Sequence, residues 1–216
     1  MSDSIKIVFK GGTAEIVEKK SRFIAYVKPV ESEEEAAVFI DSIKKQNWNA
    51  KHNCSAAVVG INNEYSRCND DGEPASTAGK PMLEVLINEG VHNVAVVVTR
   101  YFGGILLGTG GLVRAYQKAV KEGLLASTII EKKLGIKFCI QTDYNGIGKL
   151  QYIVASMNLF TVDTVYTEEV ALIVMVPKEL EEEFLNKVTE GTNGRAKVTI
   201  ESQSYYGIVD GTLHIF

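Results

Sequence analysis

The sequence predicts an α+β protein of two domains, residues 1–130 and 131–216. Three observations point there. Strand-like and helix-like runs alternate through the first part, with no internal repeat and no low-complexity segment. From residue 131 the pattern becomes β-α-β-β-α-β, the split order of a ferredoxin-like domain. The chain, 216 residues long, is 45% hydrophobic and 23% charged, enough to pack two small cores.

The elements follow from local chemistry. Residues 13–30 read as extended, because Glu15-Ile16-Val17 alternates and Phe23-Ile24-Ala25-Tyr26-Val27 is aromatic and β-branched. Ser32 can cap a helix that Glu33-Glu34-Glu35 starts at its positive dipole end. Ala36, Ala37, Phe39, Ile40 and Ile43 continue it at helical spacing to about Asn47. Residues 54–61 are extended, Asn62-Asn63 is a turn, and 64–67 is a return strand. Residues 69–80 form a loop. Pro81 suits the first turn of the next helix, which Gly90 stops. Residues 94–98, continuously apolar, read as a buried central strand. A glycine-rich loop and a helix over about 111–126 follow, and 127–132 reads as a linker. In the second domain, strands are expected at 134–142, 159–166, 170–176 and 197–205, and helices at 146–157 and 177–188.

The bulk numbers exclude several classes. No run of about 18 apolar residues predicts a membrane span. The start, MSDSIKIVFKGG, lacks the apolar core of a secretory signal, so the expected location is the cytoplasm. Three cysteines without CxxC spacing, Cys54, Cys68 and Cys139, fit neither a disulfide framework nor a four-thiolate zinc site. No cofactor or metal is expected. The net charge of −4 means that any nucleic-acid contact must come from a local patch.

Two segments could carry chemistry. In Thr99-Arg100-Tyr101-Phe102-Gly103-Gly104-Ile105-Leu106-Leu107-Gly108-Thr109-Gly110-Gly111-Leu112-Val113-Arg114, five glycines lie between a strand and a helix. Free amides there, with Arg100 and Arg114, suit a phosphate. The alternative is a tight strand-to-helix turn. No Gly-Lys-Ser/Thr follows, and Val113 stands where a dinucleotide fingerprint needs its third glycine. The other segment, Asn69-Asp70-Asp71-Gly72-Glu73-Pro74-Ala75-Ser76-Thr77-Ala78-Gly79-Lys80-Pro81, offers Asp70, Asp71 and Glu73 as a base or as cation ligands, though no complete calcium loop is present. The competing reading is a turn whose aspartates cap amides and whose Ser76 or Thr77 starts the next helix. Lys80 joins the basic group only if the two loops meet. His52 and Cys54, two apart on a strand, are expected on one face, a pair that invites a nucleophile or metal reading but offers too few ligands for a metal; His52 also joins Asp70, Asp71 and Glu73 as an accessory residue. Trp48 and Tyr65 either stack on bases or pack at a domain surface.

These segments carry a resemblance. Lys19-Lys20-Ser21-Arg22-Phe23-Ile24-Ala25, Lys51-His52-Asn53-Cys54, Asp70-Asp71-Gly72-Glu73-Pro74 with Thr77-Ala78-Gly79-Lys80-Pro81, and Thr99-Arg100-Tyr101-Phe102-Gly103-Gly104 with Leu107-Gly108-Thr109-Gly110-Gly111-Leu112 resemble the IMPACT/YigZ family over roughly the first 125 residues. The resemblance implies a first domain like the second domain of a small-subunit ribosomal protein, an α/β sandwich. It implies a ferredoxin-like second domain similar to a ribosome-facing domain of a translocating elongation factor. Eukaryotic members regulate translation by competing for a ribosome-associated activator of a kinase that senses uncharged tRNA. They carry a further N-terminal domain that this sequence is expected to lack. Family members often have glycine where Ala75 or Ser76 stands here.

Three functional readings follow. In the first, a translation-associated regulator binds RNA, the ribosome or a translation-related protein through Arg100, Tyr101, Phe102, Gly103, Gly104, Gly108, Gly110, Gly111, Arg114 and Lys80. In the second, an enzyme acts on a phosphorylated small molecule held in the same cradle, with Asp70, Asp71 or Glu73 as base or metal ligand and His52 as acid. In the third, the chain is a protein-interaction module and the motifs serve the fold.

Overall fold

The structure, a computed structural model, describes residues 4–216. It divides into two compact units, Ile5–Ile130 and Glu131–Phe216. Of the polar N-terminal segment, residues 1–3 lie outside the described residues, and Ser4–Lys10 forms a strand, β1.

In chain order the first unit continues with β2 (Thr13–Glu18), β3 (Ser21–Pro29), α1 (Glu33–Gln46), β4 (His52–Val59), β5 (Tyr65–Asn69), α2 (Gly79–Asn88), the two-residue β6 (Val91–His92), β7 (Val94–Tyr101) and α3 (Thr109–Leu125). Five strands form one sheet in the order β2-β3-β7-β4-β5, every neighbouring pair antiparallel. β1 pairs with β6 in parallel. On one face α2 and α3 bury Met82, Leu86, Leu112 and Tyr116 against Phe23, Cys54, Val96 and Val98. On the other, α1 buries Ala36, Phe39 and Ile43 against Ala57, Ala95 and Val97. Residues 94–98 of β7 are thus continuously apolar because helices cover both faces of the strand.

The helix starts show how side chains set the boundaries. Ser32 Oγ accepts from Glu35 N at 3.2 Å, and Glu35 Oε2 accepts from Glu31 N at 2.9 Å, a capping box displaced by one residue. α2 begins two residues before Pro81, with Ala78 at its cap position offering no side-chain acceptor. Asp70 supplies the missing acceptor: its Oδ1 takes the amides of Ala78 and Gly79 at 3.0 and 2.8 Å. Neither Ser76 nor Thr77 caps it.

The expected linker at 127–132 is corrected: β8 (Thr128–Thr142) opens inside it, because Thr128-Ile129-Ile130 is a β-branched run. The second unit adds α4 (Ile147–Ser156), β9 (Phe160–Tyr166), β10 (Val170–Pro177), α5 (Glu181–Thr192), β11 (Lys197–Val209) and β12 (Thr212–Ile215). A 3-10 turn, Lys178–Leu180, stands where the last helix was expected to begin. Within the unit the strands run β9-β10-β8-β11, all neighbours antiparallel, which is the ferredoxin-like arrangement. Its helices pack Leu150, Val154, Phe184 and Val188 against Ile136, Phe138, Ile140, Leu172 and Val174.

Candidate functional site

The two loops singled out in the sequence meet through Glu73. β3, β4 and β7 end side by side, and the 69–80 loop folds over them. Glu73 is 8% exposed and Arg100 5% exposed. Arg100 Nη1 donates to Glu73 Oε1 at 2.6 Å. The same oxygen accepts from Tyr116 Oη on α3 at 2.9 Å. His52 Nε2 stands 3.8 Å from Glu73 Oε2. The Cys54 thiol lies 3.2 Å from Tyr116 Oη and 3.0 Å from the Asp70 carbonyl oxygen. His52 and Cys54 therefore share a face, as their spacing predicts, and that face looks at one buried carboxylate.

The rest of the network fixes this geometry. Arg100 Nη2 donates to Ser21 Oγ at 3.4 Å, and the same hydroxyl oxygen accepts from Gly103 N at 3.2 Å. The Arg100 guanidinium lies 5.4 Å from the ring centre of Phe23 and 5.5 Å from that of Phe102. Among the described residues its Nε has no hydrogen-bond partner. His52 Nδ1 donates to the Asp71 carbonyl at 2.8 Å, an assignment forced because a carbonyl oxygen only accepts. The Asp71 carboxylate takes the Asn53 amide at 2.7 Å and the Lys44 ammonium at 2.9 Å. Burial raises its pKa, but these two donors outweigh burial and hold it below the usual range.

Chemically this interior is closed. Burial pushes the Cys54 thiol up to about 12, so it is neither a thiolate nor a nucleophile at neutral pH. Burial also drives the Tyr116 phenol upward, and it acts as a donor to Glu73. Both Asp70 oxygens are taken by backbone amides, Oδ2 by Ser76 N at 2.8 Å. Among the described residues no three His, Cys, Asp or Glu side chains are grouped to hold a metal ion.

The exposed part of the site is the rim of the glycine loop. β2 and β3 turn over Lys19-Lys20, both with positive φ, 44° and 64°. That is the backbone of a two-residue hairpin turn, where Asn-Gly is usual. A Cβ on Gly103 would stand 2.0 Å from the Lys20 carbonyl carbon, so only glycine lets the loop lie against this turn. Gly108, at φ 72°, precedes α3 without a side-chain cap. Gly104, Gly110 and Gly111 complete the exposed stretch, with Leu106 81% exposed at its tip. Lys19, Arg114 and Lys118 line one cavity of about 270 Å³ with Glu18 and Gly111.

Of the two guanidiniums expected on this loop, Arg114 is exposed and Arg100 is turned inward onto Glu73. Tyr101 is also engaged: its hydroxyl donates to Asn47 Oδ1 at 3.0 Å, and Arg22 covers its ring. Phe102 remains half-exposed. Lys80 lies apart. Its charge acts on Cys68 of β5, at the edge of the sheet opposite β2. Trp48 is exposed beyond α1, and Tyr65 packs against the α1 core. Sequence reasoning did not single out Tyr116 or Ser21. Tyr116 had a signal: it falls in the stripe Leu112, Ala115, Tyr116, Ala119 that faces the sheet.

Comparison with known proteins bears on the same residues. A family model described as the Impact N-terminal domain matches residues 19–124, which span the buried network and the rim. A second, described as a domain of unknown function (DUF1949), matches residues 140–195. The Bacillus subtilis (strain 168) IMPACT family member YvyE is 44% identical over 198 residues, 92% of this chain and 91% of its own length. The chain belongs to the IMPACT family. Another IMPACT relative, YigZ of Escherichia coli (strain K12), is 36% identical over 178 residues, 82% of this chain and 87% of its own. A solved structure described as that of a hypothetical protein shares 33% identity, covers 94% of this chain and 99% of its own, and superposes with a TM-score of 0.59. No helix is long and apolar enough to cross a membrane among the described residues.

Proposed function

We propose that this IMPACT-family chain acts in translation as an RNA-binding regulator, and that the rim of the glycine loop meets the sugar-phosphate backbone. The observation that carries the reading is a group of three exposed cations: Lys19 and Arg114 line one cavity beside the uncapped start of α3, and Lys20 follows Lys19 in the turn against Gly103. Among the described residues none of the three is in an ion pair, whereas their neighbours Arg22 and Lys118 are held by Glu15 and Glu18. Free helix-start amides and unpaired cations together suit a phosphate. The turn adds support. Two consecutive lysines with positive φ store backbone strain that Asn-Gly would relieve, and strain that persists points to a use for the side chains. The family resemblance implies the setting in translation. The buried Arg100–Glu73 pair holds the loop in place and does not touch the ligand.

The test is co-sedimentation with ribosomes at low and high salt, comparing wild type with Lys19→Glu/Lys20→Glu and with Arg114→Ala. Pelleting is expected to fall with salt and with each variant, and the salt slope to shrink by roughly 0.7–0.9 for every phosphate the variant no longer neutralises. Equal pelleting of wild type and variants removes the rim as the site. A second reading rests on Leu106, 81% exposed beside half-exposed Phe102 and Ile105, which suits a protein partner. Leu106→Ser separates the two: without adding charge to the rim, it weakens an apolar protein contact and changes phosphate binding only slightly.

A further inference from the structure

The second unit has its own charge pattern. Residues 131–216 contain eight Lys and Arg against twelve Asp and Glu. Five of the eight cations have partners within the unit. Lys133, Lys137, Lys178 and Lys187 pair with Glu131, Glu201, Glu181 and Glu183. Lys132 lies over the rings of Tyr205 and Phe216. The other three, Lys149, Arg195 and Lys197, are in no ion pair among the described residues, and all three line one cleft of about 620 Å³. In a unit with an acidic excess, three free cations in one cleft are a local concentration that folding alone does not require.

The backbone around them is built tightly. A Cβ on Gly146 would stand 2.1 Å from Thr142 Oγ1, so glycine lets the β8–α4 loop close on itself. Asn193 and Gly194, at φ 51° and 70°, turn the chain after α5 so that Arg195 and Lys197 come back to the cleft. The wall also holds two carboxylates, Asp143 and Glu169. Asp143 Oδ1 accepts from Gly146 N at 2.7 Å, and Oδ2 is not used in that bond. Neither carboxylate is in an ion pair among the described residues.

We propose that this cleft binds a small zwitterion of net negative charge, with the chemistry of an acidic α-amino acid. Three cations meet its carboxylates, and Asp143 and Glu169 meet its ammonium. A pure dianion would be repelled by the two acids and a pure amine by the three cations, so the mixed wall selects a ligand carrying both signs. The volume lies in the ordinary range of small-molecule sites, about 300–1,000 Å³. The proposal rests on the second unit alone and stands apart from the nucleic-acid reading of the glycine loop.

Isothermal titration of the full chain with L-glutamate tests it, with glutarate as the same molecule lacking the amine. The expected result is one saturable site for glutamate, with glutarate at least about tenfold weaker, a difference of about 1.4 kcal/mol. Lys149→Ala/Arg195→Ala should abolish the heat, while Lys187→Ala, a paired cation elsewhere in the unit, should leave it unchanged. Glu169→Gln should weaken glutamate and strengthen glutarate. All four side chains substituted in these variants are on the surface, apart from the buried core, so the fold survives the changes. No saturable heat with glutamate, equal affinity for glutarate, or unchanged binding in Lys149→Ala/Arg195→Ala overturns the proposal. Ribosome pelleting unaffected by these variants keeps the outcome separate from that of the first unit.

Discussion

The interior network and the rim of the glycine loop lie within a few residues of each other, yet they treat charge in opposite ways. Inside, Glu73 and Arg100 are almost wholly buried, and each is held by named partners: Tyr116, Ser21, Phe23 and Phe102. On the rim, Lys19, Lys20 and Arg114 are exposed and lack ion-pair partners among the described residues. Both sets belong to the same motif-bearing segments, so a shared motif does not imply a shared task. The buried charges fix where the loop runs, and the exposed ones are free to meet something else. Breaking the interior should therefore reduce stability and with it binding. Breaking the rim should reduce binding alone.

The largest effect is expected from Arg100→Met. It leaves Glu73 buried without its cation, and losing one partner of a buried pair costs roughly 3–5 kcal/mol. Urea denaturation should show the midpoint fall with an unchanged slope. The double variant Arg100→Met/Glu73→Gln should recover part of that loss, because it removes the stranded charge as well. A double variant no more stable than Arg100→Met would show that the pair is not the element that matters. Next in size is Tyr116→Phe. It deletes a hydrogen bond to a buried carboxylate, worth about 1.5–3 kcal/mol, and the weak contact from the Cys54 thiol, which keeps the Asp70 carbonyl, while the edge-to-face contact with Phe23 at 5.2 Å stays.

These partners show which parts of the molecule were legible in the sequence. The strands β1, β6 and β12 were not read, but most elements were readable, because apolar periodicity and caps such as Ser32 are local signals. The start of α2 was less so: Asp70 caps it from eight and nine residues upstream, a distance no local pattern encodes. Likewise, spacing put His52 and Cys54 on one face but did not say that the face looks at Glu73, since Glu73 arrives from another segment. Arg100 is the clearest case. Read along the chain it stands beside a glycine loop like a phosphate ligand, but alternation along β7 turns it inward, where the Phe23 and Phe102 rings enclose it. Short strands such as β6 and β12 carry too few residues to show a period at all.

A smaller effect, with opposite signs in two assays, is expected at the hairpin. Lys19→Asn/Lys20→Gly places the preferred residues at two positive-φ positions, 44° and 64°, and should stabilise the first unit by about 1 kcal/mol. The same change removes two rim cations and should weaken ribosome pelleting at low salt. A gain in stability with undiminished pelleting would mean that the lysines are tolerated rather than used, and the contrast between interior and rim would lose its functional half.

The smallest effect is a pH dependence at the border between the two regions. Asp71 is partly exposed, and the Asn53 amide and Lys44 ammonium hold its carboxyl below the usual range against the opposing pull of burial. A carboxyl whose folded pKa is depressed binds its proton more weakly in the folded state than in the unfolded one. Its contribution is therefore fully present above the unfolded value, near 3.8, and is lost as pH falls through the folded value. Asp71→Asn should thus be less stable than wild type by a constant margin above about pH 5, well under that of Arg100→Met because the group is partly solvated. The two stability curves should then converge as the pH drops below 3.8. Thermal melts of both proteins between about pH 3 and 7 check this. Curves that stay parallel through the acid range would assign the loss to the Asn53 amide contact as a neutral hydrogen bond, and the Lys44 charge would have no part in holding the loop.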